Sequence, residues 1–136
     1  MKSADSCTIT NTTKGKLPRL PFVYIKEAIL GKKYELSVSF ISARAQRVLN
    51  RDYRGKDSTT NILSFSLSKT SGEITFDLAR VKKDAPLFDM SYREFLKFLF
   101  IHGLLHLKGY EHGSTMERLE KKYVQLFFPR AKLPYV

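Results

Sequence analysis

Apolar positions change period several times along this chain, and each change marks an element. Phe22, Ile25, Ile29 and Leu30 recur at helical spacing between Pro18 and Pro21 on one side and Gly31 on the other. That predicts a helix started near the prolines and capped by the glycine. Leu36-Ser37-Val38-Ser39-Phe40 alternates apolar and polar, the period of a half-buried strand. Ser42 is placed to N-cap a short helix through Ala43, Ala45, Val48 and Leu49. Asn50 to Thr60 is polar and contains Gly55, so a loop is expected there. Ile62 to Leu67 reads as a largely buried strand. Glu73 to Leu78 alternates with Ile74, Phe76 and Leu78 on one face, and Ser71-Gly72 is expected to turn between the two strands of a hairpin. Residues 1–16 are polar and Thr-rich, with Cys7 to Thr10 as an edge strand. Residues 79–90 form a basic, Pro-containing connection with room for one helical turn. Ser91 is a good N-cap for a helix running to about Lys108, ended by Gly109. Ser114-Thr115-Met116-Glu117 has capping-box spacing and opens a last helix with Met116, Leu119, Tyr123 and Phe127 on one face, stopped by Pro129. Strands and helices in this mixed order predict an α+β fold: a mixed, roughly four-stranded sheet packed by helices. The length of 136 residues fits a single domain, 1–136.

Composition narrows the function classes. With 43% hydrophobic and 27% charged residues the chain is an ordinary globular sequence, which excludes a disordered tail or a collagen-like rod. The net charge of +11 changes the picture, because such an excess points to a polyanionic partner. It is uneven: residues 1–56 carry 12 basic and 4 acidic groups, residues 57–136 carry 12 and 9. Arg44, Arg47 and Arg51 are spaced to share one helix face, with Arg54 close behind. The partner that charge alone allows is RNA, DNA or an anionic membrane surface; on a nucleic acid these arginines are expected to meet phosphates and Tyr53 to stack on a base. Cys7 is the only cysteine, so no intrachain disulfide is possible. No signal peptide or membrane span is expected, and no membrane partner; the cytoplasm is the expected location.

All three histidines fall in one eleven-residue window, His102-Gly-Leu-Leu-His106-Leu-Lys-Gly-Tyr-Glu-His112. His102 and His106 are four apart, so on a helix both imidazoles leave the same face. Gly109 can adopt the left-handed conformation that ends a helix and lets the chain bring His112 back. The predicted metal site is therefore a helix and turn in the C-terminal part. Three neutral imidazoles suit one Zn²⁺ per chain with an open fourth position, the mark of a catalytic site. The same spacing occurs in metzincin metalloproteases, which carry a glutamate base immediately after the first histidine. Here that residue is Gly103, which cannot take a proton, so peptide hydrolysis is disfavoured.

This window resembles the signature of the bacterial YbeY family, metal-dependent endoribonucleases that mature ribosomal RNA: H-G-x-L-H-L-x-G-Y-D-H, with Glu111 in place of the Asp. A second similar block is Leu49-Asn50-Arg51-Asp52-Tyr53-Arg54 followed by Thr60-Asn61-Ile62-Leu63-Ser64-Phe65, where Asn61 stands in place of the family's usual Asp. Gly72-Glu73-Ile74 matches a third. The resemblance covers residues 49 to about 120. It implies a small α+β domain with His102, His106 and His112 as zinc ligands and Arg54 as a functional arginine. It also implies single-strand-specific cleavage of rRNA near the small-subunit 3′ end and in ribosome quality control, with the ribosome or ribosomal proteins as partner. The chemistry agrees: zinc-bound water or hydroxide at His102 and its partners, with the Arg54 guanidinium meeting the charge that builds on the phosphoryl oxygens. Glu111 is placed for a supporting role beside His112. Two rival readings remain: a non-catalytic ribosome- or RNA-binding assembly factor with a structural zinc, and a metzincin-like peptide hydrolase.

Overall fold

The computed structural model describes residues 2–4 and 6–129. Five strands form one mixed sheet: β1 (Lys2–Ala4), β2 (Cys7–Asn11), β3 (Glu35–Phe40), β4 (Ile62–Ser68) and β5 (Ser71–Phe76), in the order β1-β2-β3-β5-β4. The three central strands β2, β3 and β5 run parallel, and each edge strand pairs antiparallel with its neighbour. The α+β fold is as the sequence predicts. The extra strand is β1, which pairs with β2 and moves Cys7 to Thr10 one place in from the edge. Ser71 and Gly72 belong to β5 itself, so the hairpin turns at Lys69 and Thr70.

Helix α1 (Phe22–Leu30) follows the two prolines and ends at Gly31 with φ 89°. Helix α4 (Tyr92–Lys108) is capped by the Ser91 side chain, which accepts from the Glu94 amide. Nine of its seventeen residues are buried, so it is the central helix of the molecule rather than a surface one. It lies on the sheet face that carries Val38, Phe40, Ile74 and Phe76, all fully buried. Phe40 stacks on Phe76 at 5.3 Å, and Phe22 meets Phe100 edge-on at 4.9 Å. The side chains of β5 alternate, so Thr75 faces the other way. There its hydroxyl donates to Gln46 Oε1 (2.7 Å), which ties helix α2 (Ala43–Arg54) to the opposite face.

Helix α2 starts at the Ser42 cap but runs past the expected end. Asn50 to Arg54 are its last turns rather than loop, and Gly55 closes it at φ 69°. The segment is polar because residues 51–54 are all exposed, while the buried Asn50 donates to the Ser58 carbonyl (2.9 Å). The connection at 79–90 is more ordered than expected: helix α3 (Leu78–Asp84), capped by Asp77, leads into a 3-10 turn at Ala85–Phe88. Helix α5 (Ser114–Phe127) begins at Gly113, so Ser114 is its first residue and not its cap. Among the described residues no helix is long and apolar enough to cross a membrane.

Candidate metal centre

Two histidines come from the last turns of α4 and the third from the turn beyond it. His102 and His106 stand one turn apart, with ring centroids 4.5 Å from each other. Gly109 then takes φ 110°. Its amide closes on the His106 carbonyl (3.0 Å) and the Tyr110 amide on Leu105 (3.1 Å), the pairing that ends a helix through a left-handed glycine. The reversal carries His112 back until its ring lies 5.1 Å from His102 and 5.3 Å from His106. One ligating atom from each histidine lies within 4.8 Å of the others.

Hydrogen bonds decide which ring nitrogens face inward. His106 Nδ1 meets the Tyr110 carbonyl at 3.0 Å. A carbonyl only accepts, so Nδ1 carries the proton and Nε2 keeps its lone pair. His102 Nδ1 is held in the same way by the Glu120 carboxylate, which α5 delivers to the site almost fully buried. Both Nε2 atoms therefore face each other, 3.0 Å apart. Two lone pairs at that distance require positive charge between them. A proton bridges two nitrogens; the convergence of a third ring is the arrangement of a metal ion. Around tetrahedral zinc, neighbouring nitrogens stand about 3.3 Å apart. Burial, followed by the charge His102 would carry, pushes the His106 pKa down and keeps the ring in its neutral, ligating form. The residues present fit a metal, as expected from the sequence.

Gly103 has a steric role. A Cβ there would meet Ile62 Cδ1 and Ser64 Oγ at 2.9 Å and Ile74 Cδ1 at 3.1 Å. Position 103 is the point where α4 rests on the sheet, so it offers no place for the glutamate base of a metzincin.

The family model described as endoribonuclease YbeY matches residues 8–127, a stretch that contains β2 from Thr8, strands β3 to β5, helices α1 to α5 and the three histidines. The chain belongs to the YbeY family. Endoribonuclease YbeY of Halalkalibacterium halodurans is 39% identical, the match covering 65% of this chain and 65% of the relative. That of Geobacillus kaustophilus is 37% identical over 61% of this chain and 63% of its own length. That of Oceanobacillus iheyensis is 34% identical over 76% and 75%. The chain thus spans just under two thirds of the first two relatives. The solution structure of TM1509 from Thermotoga maritima is similar with a TM-score of 0.64 and 27% identity, covering 90% of this chain and 89% of that one.

Within this YbeY-family fold the other expected site residues do not gather around the histidines. A cavity of about 350 Å³ opens at His102 and His112, lined further by Glu117 and Glu120, by Asn61, and by Phe88, Phe95, Phe98 and Leu99. Arg54 lines a different cavity, with Tyr53, Ser64 and Phe65. The two regions meet through Ser64, whose hydroxyl reaches the Gly103 carbonyl at 3.5 Å. Tyr53 is exposed and packs on Phe65 at 4.8 Å. Arg44, Arg47 and Arg51 are exposed on α2 as expected, but two of them are engaged. Arg47 holds Asp57 through two bonds of 2.8 and 3.1 Å, and Arg51 holds Asp52 at 3.2 Å.

The carboxylate that orients His102 belongs to Glu120, which sequence reasoning missed; Glu111 is exposed in the turn. The signal was present. Met116, Glu120 and Val124 are four apart and all buried, so a glutamate sits in the inward stripe of α5. A buried carboxylate needs a partner, and the nearest unmatched ring nitrogen supplies one.

Proposed function

We propose that this chain is a zinc-dependent endoribonuclease that cuts single-stranded regions of ribosomal RNA in the cytoplasm. Its work would be maturation of the small-subunit rRNA 3′ end and ribosome quality control, in association with the ribosome or ribosomal proteins. The observation that carries this reading is the triad itself: two Nε2 lone pairs held face to face by Glu120 and Tyr110, with His112 closing the set. It stands in a chain of an endoribonuclease family with a net charge of +11.

Zinc, when bound by His102, His106 and His112, supplies Lewis-acid chemistry at a phosphoryl oxygen and acidifies water. The protein supplies the rest. Glu120 and the Tyr110 carbonyl keep both helix histidines in the ligating tautomer, and Glu111, next to His112, is the candidate support for the third ring. Arg54 lines the neighbouring cavity at the last turn of α2, and its exposed side chain would turn toward the histidines to meet the non-bridging oxygens with its two-pronged guanidinium as charge builds there. Arg44, Arg47 and Arg51 extend the positive surface along the RNA backbone, and Tyr53 gives one base a ring to stack on.

The test is cleavage of purified rRNA by wild type and by His102→Ala, prepared in parallel, each with and without chelator. Cleavage by untreated wild type alone is the expected result. Equal cleavage in every lane would mean a contaminating nuclease and would remove the basis for the reading.

A further inference from the structure

The cavity beside the triad is more aromatic than metal binding requires. Phe98 stacks against the His102 ring at 6.0 Å and 30°. Phe95 is buried behind it, and Phe88 lies over Phe95 at 4.9 Å and 21°. Phe88 is 44% exposed although it sits at the cavity's edge and has a stacking partner. It is presented by the 3-10 turn Ala85–Phe88, which closes on Asp89 in the left-handed region at φ 55°. A non-glycine residue in that region is uncommon and marks a turn that its surroundings hold in place. The result is an aromatic wall from a metal ligand to solvent, ending in an open phenyl face.

Asn61 brings a neutral amide to this cavity. Its amide nitrogen donates to Asp84 Oδ2 at 3.0 Å, and Asp84 is held in turn by Arg80 at 3.0 and 3.1 Å. A carboxylate accepts only, so the amide is fixed with its nitrogen toward Asp84 and its oxygen on the other branch. That oxygen is an acceptor for an N–H group of a planar ring.

We infer that this cavity is a nucleobase subsite: the base of a nucleotide next to the cleaved bond leaves its stack and lies on Phe88, with Asn61 meeting its N–H edge. The inference rests on the endoribonuclease reading and adds to it the position at which the substrate must be unpaired. A slot walled by phenylalanines and lined by the carboxylates of Glu117 and Glu120 suits a base and repels a phosphate, which belongs beside the histidines. Single-strand preference follows, because a base held in a duplex cannot turn into the slot.

The experiment uses the metal-loaded full chain and a single-stranded oligoribonucleotide whose cleavage site has been mapped. An abasic residue is placed in turn on each side of the cleaved bond. Wild type, Phe88→Ala and Phe88→Tyr are compared on each substrate. Phe88→Ala should lower kcat/KM on the intact oligonucleotide by about tenfold, the size expected for loss of one base–aromatic stack. The abasic residue at one flanking position should cost wild type about as much. Together the two changes should cost no more than either alone, and Phe88→Tyr should restore the wild-type pattern. Independent, multiplying losses, or an unchanged rate for Phe88→Ala, would overturn the subsite. If wild type cuts no RNA, the nuclease reading fails, and equilibrium binding decides the subsite instead: an abasic residue moved along the oligonucleotide one position at a time should weaken binding by wild type at one position and leave binding by Phe88→Ala unchanged there, and equal losses for both proteins would overturn it.

Discussion

The two ends of the chemistry are built differently. At the histidine end the two helix rings have a fixed position before any ligand arrives, and the third, His112, stands exposed in the turn beside them. His102 and His106 are held through Nδ1 by Glu120 and Tyr110, and their inner nitrogens already stand 3.0 Å apart. At the α2 end the arginines are exposed, and two of the four are paired with neighbouring aspartates. One region is preorganised and half-buried; the other is a solvated surface whose charge is partly neutralised at home. Rate and metal affinity should therefore be sensitive to single changes at the first. Changes at the second should be graded and salt-dependent.

The sharpest test is loss of a ligand. His106→Ala should abolish metal retention, with RNA cleavage reduced by more than about 100-fold, since removing a mere supporting partner already costs 10–100-fold. Elemental analysis of the purified protein gives the first answer, and a cooperative melting curve shows that the fold survives. Retained metal would mean that the triad is not the site. Next comes Glu120→Ala, which should weaken metal affinity about 10- to 100-fold without removing a ligand, with Glu120→Gln falling between it and wild type. A metal titration of both variants is decisive: if alanine binds as wild type does, the buried carboxylate has another purpose. Gly103→Ala should cost stability, about 1–3 kcal/mol by denaturant unfolding, because Ile62 and Ser64 must give way at 2.9 Å.

Asp57→Asn carries the smallest expected effect and tests the other half of the comparison. It frees Arg47, so the salt dependence of RNA binding should steepen by about 0.7 in log–log slope, one added phosphate contact to a single strand. An unchanged slope would place Arg47 outside the RNA path. The pair itself is not a pH switch near neutrality. The Arg47 guanidinium holds the Asp57 carboxyl below its usual range. A depressed carboxylate contributes above its unfolded pKa and is lost only as pH falls through the folded one, so RNA binding through Arg47 should not change between pH 6 and 8 on this account.

The sequence made the histidine end legible because that end is local. An i, i+4 pair, a glycine cap and a third ligand all lie in eleven residues, and helix geometry brings them together without reference to the rest of the fold. Helix α4 and its caps were readable for the same reason. What escaped depends on distant contacts. Glu120 gains its meaning from a histidine eighteen residues earlier on another helix. Lys26 is fully buried on α1 because its ammonium reaches the Ser6 hydroxyl and the Lys32 carbonyl, groups that no helical period reveals. The end of α2 was hidden because residues 51–54 are all exposed and the one buried position, Asn50, is polar and donates to the Ser58 carbonyl across the following loop. The arginine face was visible as charge, but its pairing with Asp57 and Asp52 was not, since ion pairs across a loop leave no periodic trace. The phenylalanines at the cavity read as core in sequence, and only the fold shows that one of them faces out.

The order of the elements along the chain also sets an order of assembly. Among the described residues all the strands lie within residues 2–76, so a ribosome delivers them before it delivers α4. Until then the face carrying Phe40 and Phe76 has no central helix to cover it. The metal-binding segment is synthesised after the strands it packs on, and the carboxylate that orients His102 later still. Loading of the metal is thus a finishing step in the life of a new chain. A molecule halted before residue 114 would possess three histidines but not the means of holding His102 correctly.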